Sequence, residues 1–234
     1  MLAEPEVPFW GFGEVFLSFA MFLTALWAVV TIARHFLGAN VTVGYWAVLE
    51  ELAAYLLLFA ALKVMFFWQQ KPLLRSLGWV PQPFSPWALA SAGLMLVFVS
   101  LMLQFVLGTP EIETPFDKLL NGDPLSRVAI AVFGVTVGPV IEELLFRGFL
   151  QPVFVSAAGV FPGILITSML FGAVHLAQNA NLWQSGVLIT IAGFGFGVVR
   201  HVSGSTRASA ITHIAYNSLP FLVTLLQGAP PDHK

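Results

Sequence analysis

The 234-residue chain is 58% hydrophobic and only 9% charged, and its formal net charge of −2 excludes the basic surface expected of a nucleic-acid-binding protein. Its mean hydropathy of +0.86 and its long apolar runs predict a membrane protein, because about 20 apolar residues cross a bilayer as a helix. The alternating polarity of barrel strands is absent. Cysteine is also absent, which excludes disulfides and a thiol nucleophile. We therefore predict an all-α, polytopic transmembrane helical bundle.

Seven apolar runs follow one another along the chain, and the bundle is expected to have about seven to eight spans. The runs lie near residues 12–33, 45–69, 86–108, 127–155, 161–178, 183–200 and 207–227. No Lys or Arg precedes the first run, whereas a secretory signal requires a positively charged start, so this run is expected to be a retained helix. We predict a single membrane domain over 1–234, with N-terminal spans in 1–124 and a disordered tail at 228–234.

The basic residues of the connections predict an orientation by the positive-inside rule. With the N-terminus in the cytoplasm, Lys71, Arg75, Arg200 and Arg207 lie inside, and Arg34, Lys118 and Arg127 lie outside. This orientation places Glu142 in the inner, cytoplasmic half of the fourth span.

That fourth span contains a charged cluster in an otherwise apolar run, with Glu142, Glu143 and Arg147 inside six residues. Each ionisable group costs about 2.5–3.5 kcal/mol at a bilayer centre on insertion scales, so the cluster needs a structural or functional reason. Residues four apart share a helix face, which predicts a structural ion pair between Glu143 and Arg147. Glu142 lies about 100° further round the helix and is left as the free carboxylate, suited to general acid–base chemistry.

Two later spans also carry polar groups. His175 follows Phe171 by one turn in the fifth span, and His213 shares a face with Asn217 in the seventh. A single intramembrane His or Asn is often only an interhelical hydrogen bond. Three spans with such groups are expected to converge on an interior cavity, where a carboxylate, two imidazoles and an amide can activate water and stabilise an oxyanion. Glu50 and Glu51, at the start of the second span, are interpreted instead as interfacial carboxylates.

The ordered pattern resembles the CAAX-protease and bacteriocin-processing (CPBP, or Abi) family of intramembrane proteases. Its three motifs are Glu-Glu-x-x-x-Arg, Phe-x-x-x-His and His-x-x-x-Asn. Here they are Glu142, Glu143 and Arg147, then Phe171 and His175, then His213 and Asn217. The resemblance covers about residues 125–222, which it implies to be the catalytic core with an intramembrane active-site cavity.

The resemblance implies that Glu142 activates water with help from His175, and that His213 and Asn217 bind the oxyanion. Glu143, Arg147 and Phe171 would support the site. The family is described both as a metalloprotease and as a glutamate-dependent protease without metal. Glu142, His175 and His213 are the residues that could hold a zinc ion, but no His-Glu-x-x-His motif is present. The sequence therefore favours direct water activation.

The predicted function is hydrolysis of a peptide bond in a membrane-anchored protein or peptide, within the bilayer of a bacterial inner membrane. The expected partners are this substrate and the lipid bilayer, with no nucleic acid. Two alternatives remain: a proton-coupled transporter that uses the ionisable groups as a relay, and a catalytically silent immunity or scaffold protein. Substrate identity is not predicted.

Overall fold

A computed structural model describes residues 8–37, 44–110, 112–120 and 123–227, so the predicted disordered tail at 228–234 lies outside the described residues. The described residues form helices without strands, which confirms the predicted all-α fold. The α-helices are α1 Phe12–Leu37, α2 Gly44–Trp68, α3 Leu73–Ser76, α4 Pro86–Val106, α5 Pro115–Leu120, α6 Pro124–Val135, α7 Val137–Glu143, α8 Gln151–Ala158, α9 Val160–Val174, α10 Trp183–Ser203 and α11 Thr206–Gln227. A π-helix spans Leu144–Leu150, and a 3₁₀ turn spans Ala177–Asn179.

Within the described part of the chain, six helical segments are long and apolar enough to cross a membrane. They are Phe12–Ala33, Trp46–Trp68, Pro86–Val106, Pro124–Ala158, Trp183–Ser203 and Thr206–Leu226. The predicted fifth span is the apolar helix α9, which has only 15 residues. At 1.5 Å per residue it is about 22 Å long, shorter than a hydrocarbon core of about 30 Å. The protein is an integral, multi-pass membrane protein.

The fourth span was expected to be one continuous helix, but in the structure it is interrupted. Asp123 caps the start of α6 by accepting a hydrogen bond from the backbone N–H of Ser126 at 3.0 Å, and the Ser126 side-chain hydrogen bond lowers the pKa of Asp123. α6 ends at Val135, four residues before Pro139, because a proline ring clashes with the carbonyl of residue i−4. α7 then continues directly into the π-helix, and π-helical turns are frequent at functional sites.

The two ends of the bundle differ in the connections that they bring together. At one end, the Thr206 hydroxyl donates to the Leu77 carbonyl at 2.6 Å, and the Ser205 hydroxyl donates to the Val80 carbonyl at 2.6 Å. These bonds tie the α2–α4 connection to the turn between α10 and α11. At the other end, α5 packs against the 3₁₀ turn. The basic connections near residues 71–75 and 200–207 therefore share one end, as the predicted alternation of spans requires.

The core of the bundle surrounds the π-helix. Phe149 is fully buried and stacks on Trp10, whose indole N–H donates to the Phe149 carbonyl at 2.9 Å. α10 packs between α9 and α11, and α11 packs against α4. α1 packs mainly against α2 and leaves most of its surface exposed to the membrane.

Candidate active site

A cavity of about 370 Å³ lies among α2, α5–α7, α9, α10 and α11, and its wall includes Glu142, His175, His213 and Asn217. All four side chains predicted to carry the chemistry are thus brought to one place. The lining also includes Phe116 of α5 and Gln178 and Asn179 of the 3₁₀ turn, so the cavity faces the α5 end of the bundle.

Glu142 lies between the two imidazoles. His175 Nε2 is 3.9 Å from Glu142 Oε1, and His213 Nε2 is 3.8 Å from Glu142 Oε2. The Glu142 side chain keeps 17% exposure and that of His175 keeps 20%, whereas that of His213 keeps only 4%. These distances are longer than a direct hydrogen bond. The Glu142 carboxylate and the two imidazole rings therefore face one another at the cavity without bonding directly. We call Glu142, His175 and His213 the Glu142 cluster.

Each imidazole is held in place through its other nitrogen. His175 Nδ1 donates to the Phe171 carbonyl at 2.8 Å, since a carbonyl can only accept. His213 Nδ1 donates to Glu143 Oε1 at 3.0 Å. The Nε2 atoms of both rings are therefore directed at Glu142, and the hydrogen bond at Nδ1 fixes the orientation of each ring.

Beneath the cluster lies a fully buried polar network centred on Glu143. Arg147 Nη1 donates to Glu143 Oε1 at 3.0 Å, and both side chains have 0% exposure. The Ser209 hydroxyl donates to Glu143 Oε2. The predicted pairing of Glu143 with Arg147 is present, although Arg147 lies in the π-helix rather than an α-helix. Because His213 also bonds Glu143, this network links the ion pair to the cluster.

Aromatic rings and a glycine enclose the Arg147 guanidinium. Its Cζ lies 4.5 Å from the Phe171 ring centroid and 5.4 Å from that of Phe196. Arg147 Nη2 donates to the Gly193 carbonyl at 2.8 Å, and a Cβ at Gly193 would approach that nitrogen to 2.9 Å. A buried cation over ring faces gains cation–π stabilisation, so Phe171 supports both Arg147 and His175.

Asn217 lies in the cavity wall beside the break in the fourth span. Its Nδ2 donates to the Gly134 carbonyl at 2.7 Å, an oxygen of the turn just before that break. Gly134 leaves room for Phe221, since a Cβ there would lie 2.5 Å from the ring. An amide nitrogen has two N–H groups, so one remains available to the cavity.

Residues 124–219 match the family described as type II CAAX prenyl endopeptidase Rce1-like. The match contains all three motifs on which the resemblance rests. The match is consistent with the CAAX-protease and bacteriocin-processing family that the motifs resemble. No curated protein and no solved structure matches the chain. The match supports a membrane endopeptidase that acts on a membrane-associated protein substrate.

Metal-ion catalysis is the alternative chemistry for this site, and it requires a suitable set of ligands. Among the described residues, no three His, Cys, Asp or Glu side chains are grouped as ligands for a metal. The Glu142 cluster has the donor types that zinc prefers, but it does not form such a group. The described residues therefore give no set of ligands on which a metal-dependent mechanism could be built.

Two polar side chains near the site, Ser209 and Tyr216, were not singled out by the sequence. Ser209 precedes His213 by one helical turn, so helical spacing alone could have found it. Tyr216, which hydrogen-bonds Ser100 at 3.1 Å, carried no motif signal. Glu51 lines the cavity with Glu142. The sequence interprets it as an interfacial carboxylate, and its helix α2 packs against α6.

Proposed function

We propose that this CAAX-type membrane endopeptidase cleaves its substrate with a water molecule activated by Glu142 and His175. The observation that carries the proposal is the Glu142 carboxylate in a partly enclosed cavity, with the Nε2 atoms of two oriented histidines 3.8 and 3.9 Å away. A carboxylate that receives no close hydrogen bond in the described structure is available as a base. A reacting water held between Glu142 and His175 would lie within reach of both.

In the proposed mechanism, Glu142 accepts a proton as the water oxygen attacks the scissile carbonyl. His175 orients the water through Nε2, since its Nδ1 hydrogen is used by Phe171. The protonated Glu142 then transfers its proton to the leaving amine as the tetrahedral intermediate collapses. General acid–base catalysis of this kind contributes about 10²–10⁴-fold.

His213 and Asn217 are proposed to stabilise the oxyanion. A His213 ring with a proton on each nitrogen would donate from Nδ1 to Glu143 and from Nε2 to the oxyanion. Asn217 contributes the amide hydrogen that Gly134 does not use. Preorganised donors directed at a developing negative charge often contribute more to catalysis than any other single effect.

We propose a bacterial inner membrane as the location, with the end that carries Lys71 and Arg75 in the cytoplasm by the positive-inside rule. Glu142 then lies near mid-depth, and the cavity opens towards the α5 end, on the outer side. This differs from the expectation of a site in the cytoplasmic half.

Because the chain has no cysteine, single Ser76→Cys and Pro115→Cys variants can test the proposed orientation. A membrane-impermeant thiol reagent added to intact cells is expected to label only Pro115→Cys, and the reverse pattern would overturn it.

The decisive test compares the termini of membrane proteins in cells that carry wild type or Glu142→Gln at equal abundance. Uncleaved proteins that accumulate only with Glu142→Gln, with Glu50→Gln as a matched control that behaves as wild type, would support the protease and identify its substrate. Identical termini in all three strains would refute the proposed function and favour the transporter or scaffold alternatives.

A further inference from the structure

The end of the bundle away from the cavity opening carries four basic side chains. Lys71 and Arg75 lie in the connection between α2 and α4, and Arg200 and Arg207 lie on either side of the turn between α10 and α11. Two hydrogen bonds between these connections hold them together. We call Lys71, Arg75, Arg200 and Arg207 the basic cluster.

Carboxylates are almost absent from this end of the bundle. The chain has no Asp or Glu in residues 52–110 or in residues 144–231, and these two stretches contain both connections. Among the described residues, Glu14 is the one carboxylate near this end, and it accepts a hydrogen bond from the Gly11 backbone N–H at 2.8 Å. The basic cluster therefore has no carboxylate partner within the part of the chain that the structure describes.

Arg200 is the member of the cluster whose position is set by packing. Its guanidinium lies against Gly78, at φ 74°, where an added Cβ would collide with Arg200 Nη2. The side chain is half-buried, its Nε is buried without a hydrogen-bond partner, and the described residues give the guanidinium no ion pair. The C-terminal turn of α10 favours a cation there but supplies no acceptor. A guanidinium stays protonated in proteins and is costly to bury unpaired, so an anionic ligand would stabilise it.

Two exposed tryptophans indicate the depth of the cluster in the membrane. Trp68 is the last residue of α2 and Trp87 is the second of α4, and they are 80% and 83% exposed. Tryptophan is enriched at the boundary between the hydrocarbon core and the headgroups. The connection between these two residues, which includes Lys71 and Arg75, therefore lies at the level of the lipid phosphates.

We propose that the basic cluster binds the phosphate of an anionic phospholipid, with Arg200 as the anchoring contact and the other three cations around it. The planar guanidinium can bind two phosphate oxygens at once. A zwitterionic lipid carries the same phosphate beside its own ammonium group, so the cluster is expected to prefer a lipid with a net negative charge. Basic pockets between transmembrane helices bind such headgroups in other membrane proteins.

The expected preference follows from the number of cations. A Lys or Arg near an anionic membrane surface contributes about fivefold to affinity. Arg200 is expected to contribute about tenfold, because its hydrogen bonds to phosphate are charge-assisted and its position is already fixed. Loss of Arg200, or of two exposed cations together, should therefore each weaken binding by about tenfold or more.

The test is native mass spectrometry of the purified full-length protein in detergent. The protein is titrated with phosphatidylglycerol and, separately, with phosphatidylcholine of identical acyl chains. The variants are Arg200→Gln, the double variant Arg75→Gln/Arg207→Gln, and the control Lys118→Gln, which removes one exposed cation at the other end of the bundle. Thermal unfolding with phosphatidylglycerol or with inorganic phosphate distinguishes a lipid from a soluble anion.

Wild type and Lys118→Gln are expected to bind phosphatidylglycerol at least about tenfold more tightly than phosphatidylcholine, and Arg200→Gln and the double variant to reduce this preference below about threefold. Equal binding of the two lipids by wild type would overturn the proposal, as would an unchanged preference in folded Arg200→Gln. If Arg200→Gln does not fold, an unchanged preference in the double variant overturns it. An equal loss in Lys118→Gln would show a response to net charge alone, and stabilisation by inorganic phosphate equal to that by the lipid would assign the cluster to a soluble anion.

Discussion

The adjacent carboxylates Glu142 and Glu143 are expected to respond in opposite ways to the same substitution. Glu143 has 0% exposure and holds Arg147, His213 and Ser209. Glu143→Gln leaves the Arg147 cation buried without its partner, and loss of one member of a buried ion pair costs about 3–5 kcal/mol. Glu142 keeps 17% exposure, and its nearest imidazole nitrogen lies at 3.8 Å. Glu142→Gln is therefore expected to cost less than about 1 kcal/mol.

The assay is thermal unfolding of the detergent-solubilised protein, followed by fluorescence-detected gel filtration. For a chain of this size, each kcal/mol shifts Tm by about 2–4 °C, so Glu143→Gln is expected to lower Tm by about 6–20 °C. Glu142→Gln is expected to lower Tm by less than about 4 °C while reducing cleavage by at least about 100-fold. A Glu143→Gln variant as stable as wild type, or a Glu142→Gln variant that is the less stable of the two, would refute the reasoning from the buried network.

Three further outcomes are expected. Gly193→Ala would bring a Cβ to 2.9 Å from Arg147 Nη2 and should lower stability by about 1–3 kcal/mol in the same unfolding assay. The control Gly13→Ala, which has open space around its Cβ, should leave stability unchanged. Equal Tm values for the two variants would contradict the tight fit at Gly193. Asn217→Ala should lower kcat by about 10²–10³-fold with little change in KM, if its free N–H serves the oxyanion, whereas a kcat within threefold of wild type would remove it from the mechanism. Chelators should leave cleavage unchanged, because the Glu142 cluster is not grouped as a ligand set; inactivation by a chelator, reversed by zinc, would reinstate the metal mechanism.

The charged cluster shows how far local spacing predicts the site. The separation of Glu142 from Glu143 by about 100° and the pairing of Glu143 with Arg147 need only helical geometry. The convergence of His175 and His213 on Glu142 follows from the cost of polar groups in lipid. Each of these inferences depends on the residues of one helix, or on an energetic cost that does not depend on the details of packing.

The features that were missed depend on contacts between segments far apart in the chain. The π-helix at Leu144–Leu150 has no local sequence signal, and one of its carbonyls is satisfied by Trp10, 139 positions earlier. Glu51 lies near the start of a span, where a carboxylate is ordinarily interfacial, and its place in the cavity wall depends on how α2 packs in the bundle. The shortness of α9 is set by the left-handed Gly159 before it, at φ 88°, and by the turn that begins at His175.

The polar groups of the site form two layers with different degrees of charge compensation. In the lower layer, Glu143 is held by Arg147, Ser209 and His213, so its charge is balanced and its position is fixed. In the upper layer, Glu142 faces the cavity with an imidazole nitrogen on each side, and Glu51 lines the same cavity. His213 belongs to both layers, because Nδ1 contacts Glu143 while Nε2 faces Glu142. The buried ion pair therefore orients a ring that faces the cavity, and the motif of Glu142, Glu143 and Arg147 combines a carboxylate open to the cavity with a helix held rigid beneath it.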